Sequence, residues 1–300
     1  MAQTRTFRDW AVFALLSLAW ASAFAFNRTA VETLPPSLII PARLTLGAII
    51  LIAVMLARGE RFPPFSARRQ WLFMGLIGSV GTALPFFLVT TGQQTVDSSL
   101  AALYVTTSPL IVISVAHFIF KDERMTTSKA LGVIIGFLGV GLLFGPDAIS
   151  NFDAGSVFAQ LLCLGGAIGY GASTLLARAA PPIPPFVMAA GFVTIGALTS
   201  LPMAIGTDWS TLQPSTASIA AVIALGLIPT AAASILYMGL VQRTDATFVT
   251  LTSYAIPVLA SIIGWLVFRE TQGWLSLIAF ALILSGVWIA QRRQNRRSKA

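Results

Sequence analysis

Residues 97–110 read Asp-Ser-Ser-Leu-Ala-Ala-Leu-Tyr-Val-Thr-Thr-Ser-Pro-Leu, and about 148 residues later residues 245–258 read Asp-Ala-Thr-Phe-Val-Thr-Leu-Thr-Ser-Tyr-Ala-Ile-Pro-Val. In both stretches an aspartate precedes a proline by twelve positions. The similarity extends outward, because Phe-Lys-Asp-Glu at 120–123 returns as Phe-Arg-Glu at 268–270. A repeat of this length covers half of the 300 residues, and in such proteins a site is expected where the halves meet.

The composition is that of a membrane protein. Hydrophobic residues make up 56% of the chain and charged residues 10%, far below the roughly 25% charged residues of soluble domains. The apolar residues fall in runs of about 17 to 23, long enough to cross a hydrocarbon core of about 30 Å as helices, and they lack the alternation of barrel strands. One cysteine and one histidine exclude an internal disulfide and most metal sites, so we expect no metal and no cofactor.

Ten apolar runs predict ten transmembrane helices, five in each half. They cover residues 10–28, 37–58, 71–93, 98–120, 128–145, 154–178, 185–205, 217–242, 246–268 and 273–291. Because five is odd, the second half must enter the membrane from the opposite side. The sequence therefore predicts an all-α membrane protein with ten transmembrane helices in two inverted five-helix repeats. These repeats span residues 1–146 and 153–291, and a basic tail follows at 292–300.

The basic residues predict the orientation of the chain. With the N-terminus in the cytoplasm, only Arg28, Arg43 and Arg269 of the 19 lysines and arginines fall outside cytoplasmic segments. Both termini are therefore predicted to be cytoplasmic, and the net charge of +8 indicates topology rather than nucleic-acid binding. The first apolar run ends in an Ala-Ser-Ala that imitates a signal-peptide cleavage site. We expect the run to be retained, because its removal would leave the run around Tyr170 without a counterpart.

The order of these elements resembles the drug/metabolite transporter superfamily, specifically its ten-helix EamA-type members. The motifs that carry the resemblance are residues 98–102, 108–110, Glu123 and 132–140, with their echoes at 246–250, 256–258, Glu270 and 286–287. The resemblance implies an exporter of small metabolites in a bacterial inner membrane, and aromatic amino-acid exporters of the YddG kind form one subgroup. It does not identify the cargo, because the superfamily carries amino acids, nucleosides, sugars and drugs.

Two aromatic residues at equivalent positions of the two halves are the first candidates for a substrate site. Trp20 and Tyr170 lie in mid-helix, each flanked by small residues. As opposing walls of a central cavity they would stack a ring or hold an ammonium group, a cation–π attraction worth roughly 0.5 to 2 kcal/mol. The alternative is helix packing, in which the small residues only admit close neighbours.

Arg43 is the second candidate, because an arginine inside a membrane helix costs roughly 2.5 to 3.5 kcal/mol on insertion scales. One interpretation is an anchor for a substrate carboxylate. The other is an ion pair or a helix end, and the resemblance slightly favours it, since such an arginine accompanies differing cargoes in the family.

Four prolines interrupt predicted helices: Pro109 and Pro257 occupy equivalent positions of the repeat, and Pro85 and Pro229 lie in the third and eighth predicted helices. Each removes a backbone hydrogen bond, so that the Ser253 carbonyl, for example, loses its usual donor. Paired kinks are candidate hinges for alternating access, and the freed carbonyls could face a cation. The alternative is a static kink that neighbouring hydroxyl groups repair.

Among the other polar residues in predicted helices, Tyr254 and Asn27 are the best candidates for substrate contacts, with Ser253 beside Tyr254. All carboxylates fall in loops or close to helix ends, so none is placed as a proton relay in mid-membrane. We therefore expect export down a substrate gradient, or exchange, without tight carboxylate-mediated proton coupling.

Alternating access through a central cavity between the halves is the mechanism that an inverted repeat favours. The closest alternative is an exporter of another cargo, such as a drug-like compound, a nucleoside or a lipid-linked metabolite. A membrane-embedded enzyme would need a clustered nucleophile and base or a metal site, so we predict no enzyme and no catalytic residues. Glycine pairs such as Gly132 and Gly136 fit helix packing within a monomer, with a dimer as the alternative.

Overall fold

The computed structural model describes residues 6–121, 123–144, 154–208, 210–244, 248–249 and 251–291, and these residues form helices and connections without a strand. The helices of the first half are α1 Phe7–Ala30, α2 Pro36–Ala57, α3 Arg68–Gly78, α4 Leu84–Gly92, α5 Ser98–Val105, α6 Ser108–Ile119 and α7 Thr127–Phe144. Those of the second half are α8 Ala154–Ala179, α9 Pro185–Ser200, α10 Thr216–Leu225, α11 Ala233–Arg243, α12 Thr252–Phe268 and α13 Trp274–Gln291.

The described helical segments have the lengths that a bilayer requires. Eight are long and apolar enough to cross it, and the segments Thr127–Leu143 and Thr252–Phe268 are shorter apolar helices. The prediction of an all-helical membrane protein is confirmed for the described part of the chain. In the ninth predicted helix, Phe248 and Val249 are helical, Leu251 forms a turn, and a separate helix begins at Thr252. Asp245, the domain limits at 146 and 153, and the basic tail lie outside the described residues.

Two π-helical turns lie at equivalent places in the two halves, Ser79–Ala83 before α4 and Gly226–Ala232 before α11. Each accompanies a proline, Pro85 at the start of α4 and Pro229 within the second turn. A threonine hydroxyl donates to a carbonyl five residues earlier in each turn, at 2.9 Å from Thr82 and 2.7 Å from Thr230. The wider turn thus accommodates a proline that has no N–H to donate.

The second pair of prolines has different consequences in the two halves. The predicted helix 98–120 is broken, because α5 ends before Thr106 and Thr107 and α6 begins with Pro109 in its first turn. The hydroxyls of these threonines donate to nearby carbonyls of α5, at 2.8 Å and 2.7 Å. Pro257 instead lies inside the continuous α12. Local hydroxyl groups therefore satisfy carbonyls at the Pro109 break, and the hinge role of the four prolines stays a prediction.

Helices α7 and α13 pack through glycine at backbone contact. A Cβ added at Gly286 would lie 2.6 Å from the nitrogen of Gly136, and one added at Gly132 would lie 2.7 Å from the nitrogen of Ala290. Small residues allow helix backbones to approach this closely, and the resulting dispersion contacts hold helices together in lipid. Gly132 and Gly136, the glycine pair considered for helix packing, thus contact other helices of the same chain.

Replacement of Gly286 by leucine is expected to lower the melting temperature in detergent micelles, because its side chain has no room between α7 and α13. The expected cost is about 3 kcal/mol, at the upper end for overpacked cores. The matched control is Gly141→Leu in α7, where an added Cβ meets nothing within 4 Å. Equal melting temperatures for the two variants would contradict the packing described above.

Candidate functional site

Arg43 lies in α2 and is buried, with only 3% of its surface exposed. Its Nε and Nη2 donate to the hydroxyl oxygen of Thr230 at 3.3 Å and 3.1 Å. Its Cζ lies 4.0 Å from the centre of the Phe86 ring, on the ring face. Thr230 donates its own proton to the carbonyl of Leu225, so its oxygen is available to accept from the guanidinium.

Two glycines bring Arg43 to Thr230. An added Cβ at Gly47 would lie 3.2 Å from Cβ of Thr230, and one at Gly226 would lie 3.1 Å from the carbonyl oxygen of Arg43. Helix α2 therefore touches the second π-helical turn at backbone distance. Thr230 lies in this turn, and its hydroxyl oxygen faces the Arg43 guanidinium of α2.

The positive charge of Arg43 has no ionic partner in the part of the chain that the structure describes. No carboxylate oxygen there lies within 4.0 Å of its guanidinium, whereas the ion pairs that do form involve Arg28, Arg58, Lys129 and Arg178. A guanidinium carries five N–H donors, and Thr230 accepts two of them. The ion-pair interpretation of Arg43 is therefore wrong for the described residues, and a buried cation with free donors is well suited to an anionic ligand.

Tyr170 contacts the same Phe86 ring that faces the Arg43 guanidinium. The two rings meet edge to face with their centres 6.1 Å apart. The glycines that flank Tyr170 admit close neighbours, since an added Cβ at Gly169 would lie 2.9 Å from Pro85 and one at Gly171 would lie 3.3 Å from Ile111. These close contacts agree with the packing interpretation of the small residues, and the role of Tyr170 in substrate binding stays a prediction.

Trp20 occupies a different cluster from Tyr170. Its ring lies 5.5 Å from the ring of Tyr237 and packs on the cluster that contains Leu16 and Phe248. Tyr170 packs instead on the cluster around Tyr104. The two aromatic residues that occupy equivalent sequence positions therefore face different surroundings, and each has acquired another aromatic partner.

The remaining predicted contact residues have hydrogen-bond partners other than Arg43. Asn27 donates to the side chain of Gln93 at 3.1 Å, and Gln93 donates to the carbonyl of Phe24 at 2.9 Å, which ties α1 to the end of α4. The hydroxyl of Tyr254 donates to the side chain of Gln291 at 3.1 Å, and Ser253 is partly buried beside it. In the part of the chain that the structure describes, no three histidine, cysteine, aspartate or glutamate side chains come together in a way that could hold a metal ion.

A buried carboxylate joins the two halves at the start of α5. Glu270 is 8% exposed and accepts hydrogen bonds from the backbone nitrogens of Ser98 and Ser99, at 2.9 Å and 3.0 Å. It also accepts from both serine hydroxyls, at 2.8 Å and 2.6 Å. Burial raises the pKa of this carboxyl, but the hydrogen bonds from Ser99 and Ser98 outweigh burial and leave the pKa below its ordinary value. The free N–H groups of a helix start suit such an anion.

Glu123, the counterpart of Glu270 in the first half, binds cations instead. It accepts from Lys129 at 2.5 Å and from Arg178 of the second half at 2.8 Å. Burial raises its pKa, but the hydrogen bonds from Lys129 and Arg178 outweigh burial and leave the pKa below its ordinary value. The repeated glutamates therefore both connect the halves, one through neutral donors and the other through two positive charges.

Comparison with known proteins agrees with this architecture. A family profile, the EamA-like transporter family, matches residues 9–145 and again 157–291. The chain belongs to the EamA-like transporter family. Its relatives include the uncharacterized transporter YdfC of Bacillus subtilis (strain 168), 28% identical over 93% of this chain and 90% of YdfC. The uncharacterized inner membrane transporter YedA of Escherichia coli (strain K12) is 29% identical over 91% of this chain and 89% of YedA.

A solved crystal structure shares the fold of this EamA-like transporter, with a TM-score of 0.67 and 24% identity over 96% of this chain and 99% of the other. The protein is thus a multi-pass membrane transporter, as the resemblance implied. Sequence reasoning did not select Phe86 and Thr230. One signal was available, because Pro85 and Pro229 adjoin these residues and lie in the corresponding third and eighth predicted helices.

Proposed function

We propose that this EamA-like transporter exports small metabolites that carry a carboxylate, foremost amino acids with an aromatic or hydrophobic side chain. The observation that carries the proposal is the buried Arg43 guanidinium, which has free donors and no carboxylate partner among the described residues. A substrate carboxylate would supply the missing charge through a two-pronged hydrogen bond. Without such a ligand, a buried unpaired charge is costly.

The surroundings of Arg43 support a substrate with a ring or an apolar side chain. The Phe86 ring lies under the guanidinium carbon at 4.0 Å and meets the Tyr170 ring in a T-shaped contact, with the ring centres 6.1 Å apart. Aromatic surfaces of this kind hold apolar groups and cations, so they fit both the side chain and the ammonium group of an amino acid. Trp20 with Tyr237 forms a second aromatic pair that we assign to the substrate path.

Transport by alternating access is the mechanism that we propose for this site. Helices from both halves hold it, since Arg43 and Phe86 belong to the first half and Tyr170 and Thr230 to the second. Glu270 and Glu123 each bond to the other half, and release of one contact while the other persists would open one end of the bundle. The inverted arrangement of the halves and the cytoplasmic placement of both termini are parts of this proposal.

The proposal is tested by uptake and counterflow in reconstituted vesicles. Labelled phenylalanine is expected to exchange against unlabelled phenylalanine, tyrosine and leucine, while phenylalaninamide, which has no carboxylate, competes at least about tenfold more weakly. Vesicles without protein, and a panel with a nucleoside and a sugar, serve as controls. Uptake is expected to follow the substrate gradient and to ignore an imposed pH gradient. Equal competition by phenylalanine and its amide would contradict a carboxylate anchor, and strict dependence on the pH gradient would contradict downhill export or exchange.

A further inference from the structure

A cavity of about 140 Å³ lies between the first turns of α1 and the last turns of α11. Arg8 of α1 and Arg243 of α11 line one part of it, and both side chains are exposed. Val12, Leu236 and Gly239 line an apolar part. The cavity therefore combines positive charge with an apolar wall at the end of two membrane-spanning segments.

The two arginines carry an excess of positive charge over Asp9, the one carboxylate that lines the cavity, and this excess attracts an anion from outside the chain. In the described ranges, no carboxylate oxygen lies within 4.0 Å of either guanidinium. Asp9 also lines the cavity, but its carboxylate is occupied, because it accepts from the backbone nitrogen and hydroxyl of Thr6 at 2.9 Å and 2.7 Å. Asp9 is 8% exposed and serves as the capping group of α1. Two positive charges thus face the cavity against one negative charge that is already hydrogen-bonded.

The apolar part of the cavity has room for a chain of methylene groups. An added Cβ at Gly239 would meet nothing within 4 Å, so the glycine leaves the α11 surface open. Trp10, which follows Asp9 in the first turns of α1, is 47% exposed, and tryptophan at a helix end is typical of the headgroup level of a membrane. An amphiphile with an anionic headgroup and an apolar chain fits both the arginine-lined part and the apolar part of the cavity, whereas a free anion would contact only the arginines.

We infer that this cavity binds the headgroup of an anionic phospholipid, with the phosphodiester between Arg8 and Arg243 and the upper acyl chain along Gly239. Basic pockets between transmembrane helices bind anionic lipid headgroups by the same chemistry. The lipid would join α1 to α11 at a place where these helices leave a gap. The site is separate from Arg43, so it does not depend on the proposed substrate.

Lipid binding to purified, delipidated protein tests this inference. Native mass spectrometry and thermal melting in detergent compare phosphatidylglycerol, phosphatidylcholine and the soluble probe glycerol 3-phosphate. We expect phosphatidylglycerol to bind at least about fivefold more tightly than phosphatidylcholine and to raise the melting temperature, because a ligand of the folded state stabilises it. The double variant Arg8→Gln/Arg243→Gln is expected to lose the preference and to bind both lipids equally.

Matched variants separate a specific site from a general charge effect. Arg61→Gln/Arg68→Gln also removes two exposed arginines, yet it should retain the preference for phosphatidylglycerol. Gly239→Leu should weaken the binding of phosphatidylglycerol, while Gly75→Leu, at another glycine with open space around it, should not. The inference is overturned if the two lipids bind equally to the wild type, or if the preference survives in Arg8→Gln/Arg243→Gln. Displacement of phosphatidylglycerol by glycerol 3-phosphate would also overturn it, since the site would then bind free anions.

Discussion

Replacement of Arg43 by glutamine is expected to abolish the advantage of carboxylate substrates over their amides in transport. Loss of a buried, hydrogen-bonded charge contact costs about 3 kcal/mol, or roughly 100-fold in affinity. Arg43→Lys keeps the charge but loses the planar guanidinium and its stacking on Phe86. Its affinity for phenylalanine should therefore lie between that of the wild type and that of Arg43→Gln. The measurement is competition of phenylalanine and phenylalaninamide for uptake into vesicles.

The thermal stability of Arg43→Gln distinguishes a binding role from a structural one. Because the guanidinium has no carboxylate partner among the described residues, its removal should leave the melting temperature of the substrate-free protein unchanged or raised. Addition of substrate should stabilise the wild type and not the variant. Arg58→Gln, which removes an exposed arginine at the end of the same helix, is the control for lost charge. A large loss of stability with unchanged preference for carboxylates would show that Arg43 serves the fold alone.

Replacement of Glu270 by glutamine is expected to destabilise the folded protein near neutral pH by about 2 kcal/mol, the usual range for hydrogen bonds to a charged group. The backbone N–H groups of Ser98 and Ser99 donate to the Glu270 carboxylate. The NH2 group of a glutamine is itself a donor, so it would face at least one of these N–H groups without an acceptor between them. Gly264 leaves space for this carboxylate, since an added Cβ would lie 3.1 Å from the Ser98 hydroxyl. Glu32→Gln, at an exposed glutamate in the turn after α1, is the matched control.

The effect of Glu270→Gln on the melting temperature is expected to depend on pH. The pKa of Glu270 is lower in the folded protein than its ordinary value, so the ionised carboxylate stabilises the fold above that ordinary value. This contribution is lost as the pH falls through the lower pKa of the folded state. The difference in melting temperature between wild type and Glu270→Gln should therefore be large at pH 7 and shrink in acid. A difference that stays constant from pH 7 into the acid range would contradict the role of the charge.

Apolar runs and basic residues were sufficient to predict the helices, because span length and hydropathy are properties of consecutive residues. The predicted run 185–205 corresponds to Pro185–Ala204, and 37–58 to Pro36–Ala57. The break at Thr106 was harder to predict, because a proline is compatible with two outcomes. Pro257 lies within a continuous helix, whereas Pro109 lies in the first turn of a new one. That outcome depends on which neighbours satisfy the exposed carbonyls.

The repeated motifs and the apolar runs are enough to identify the two halves, the helical class and the unusual position of Arg43 in a membrane helix. The contacts of Arg43 with Thr230 and Phe86, and the separate clusters of Trp20 and Tyr170, follow from how the helices pack. These contacts are hidden from the sequence because lipid, and not water, surrounds the helices. In a bilayer the lipid-facing and the buried sides of a helix are both apolar, so hydrophobic periodicity does not reveal how a helix is rotated. Close glycine contacts and the π-helical turn set that rotation here, and they become visible only when the helices are packed together.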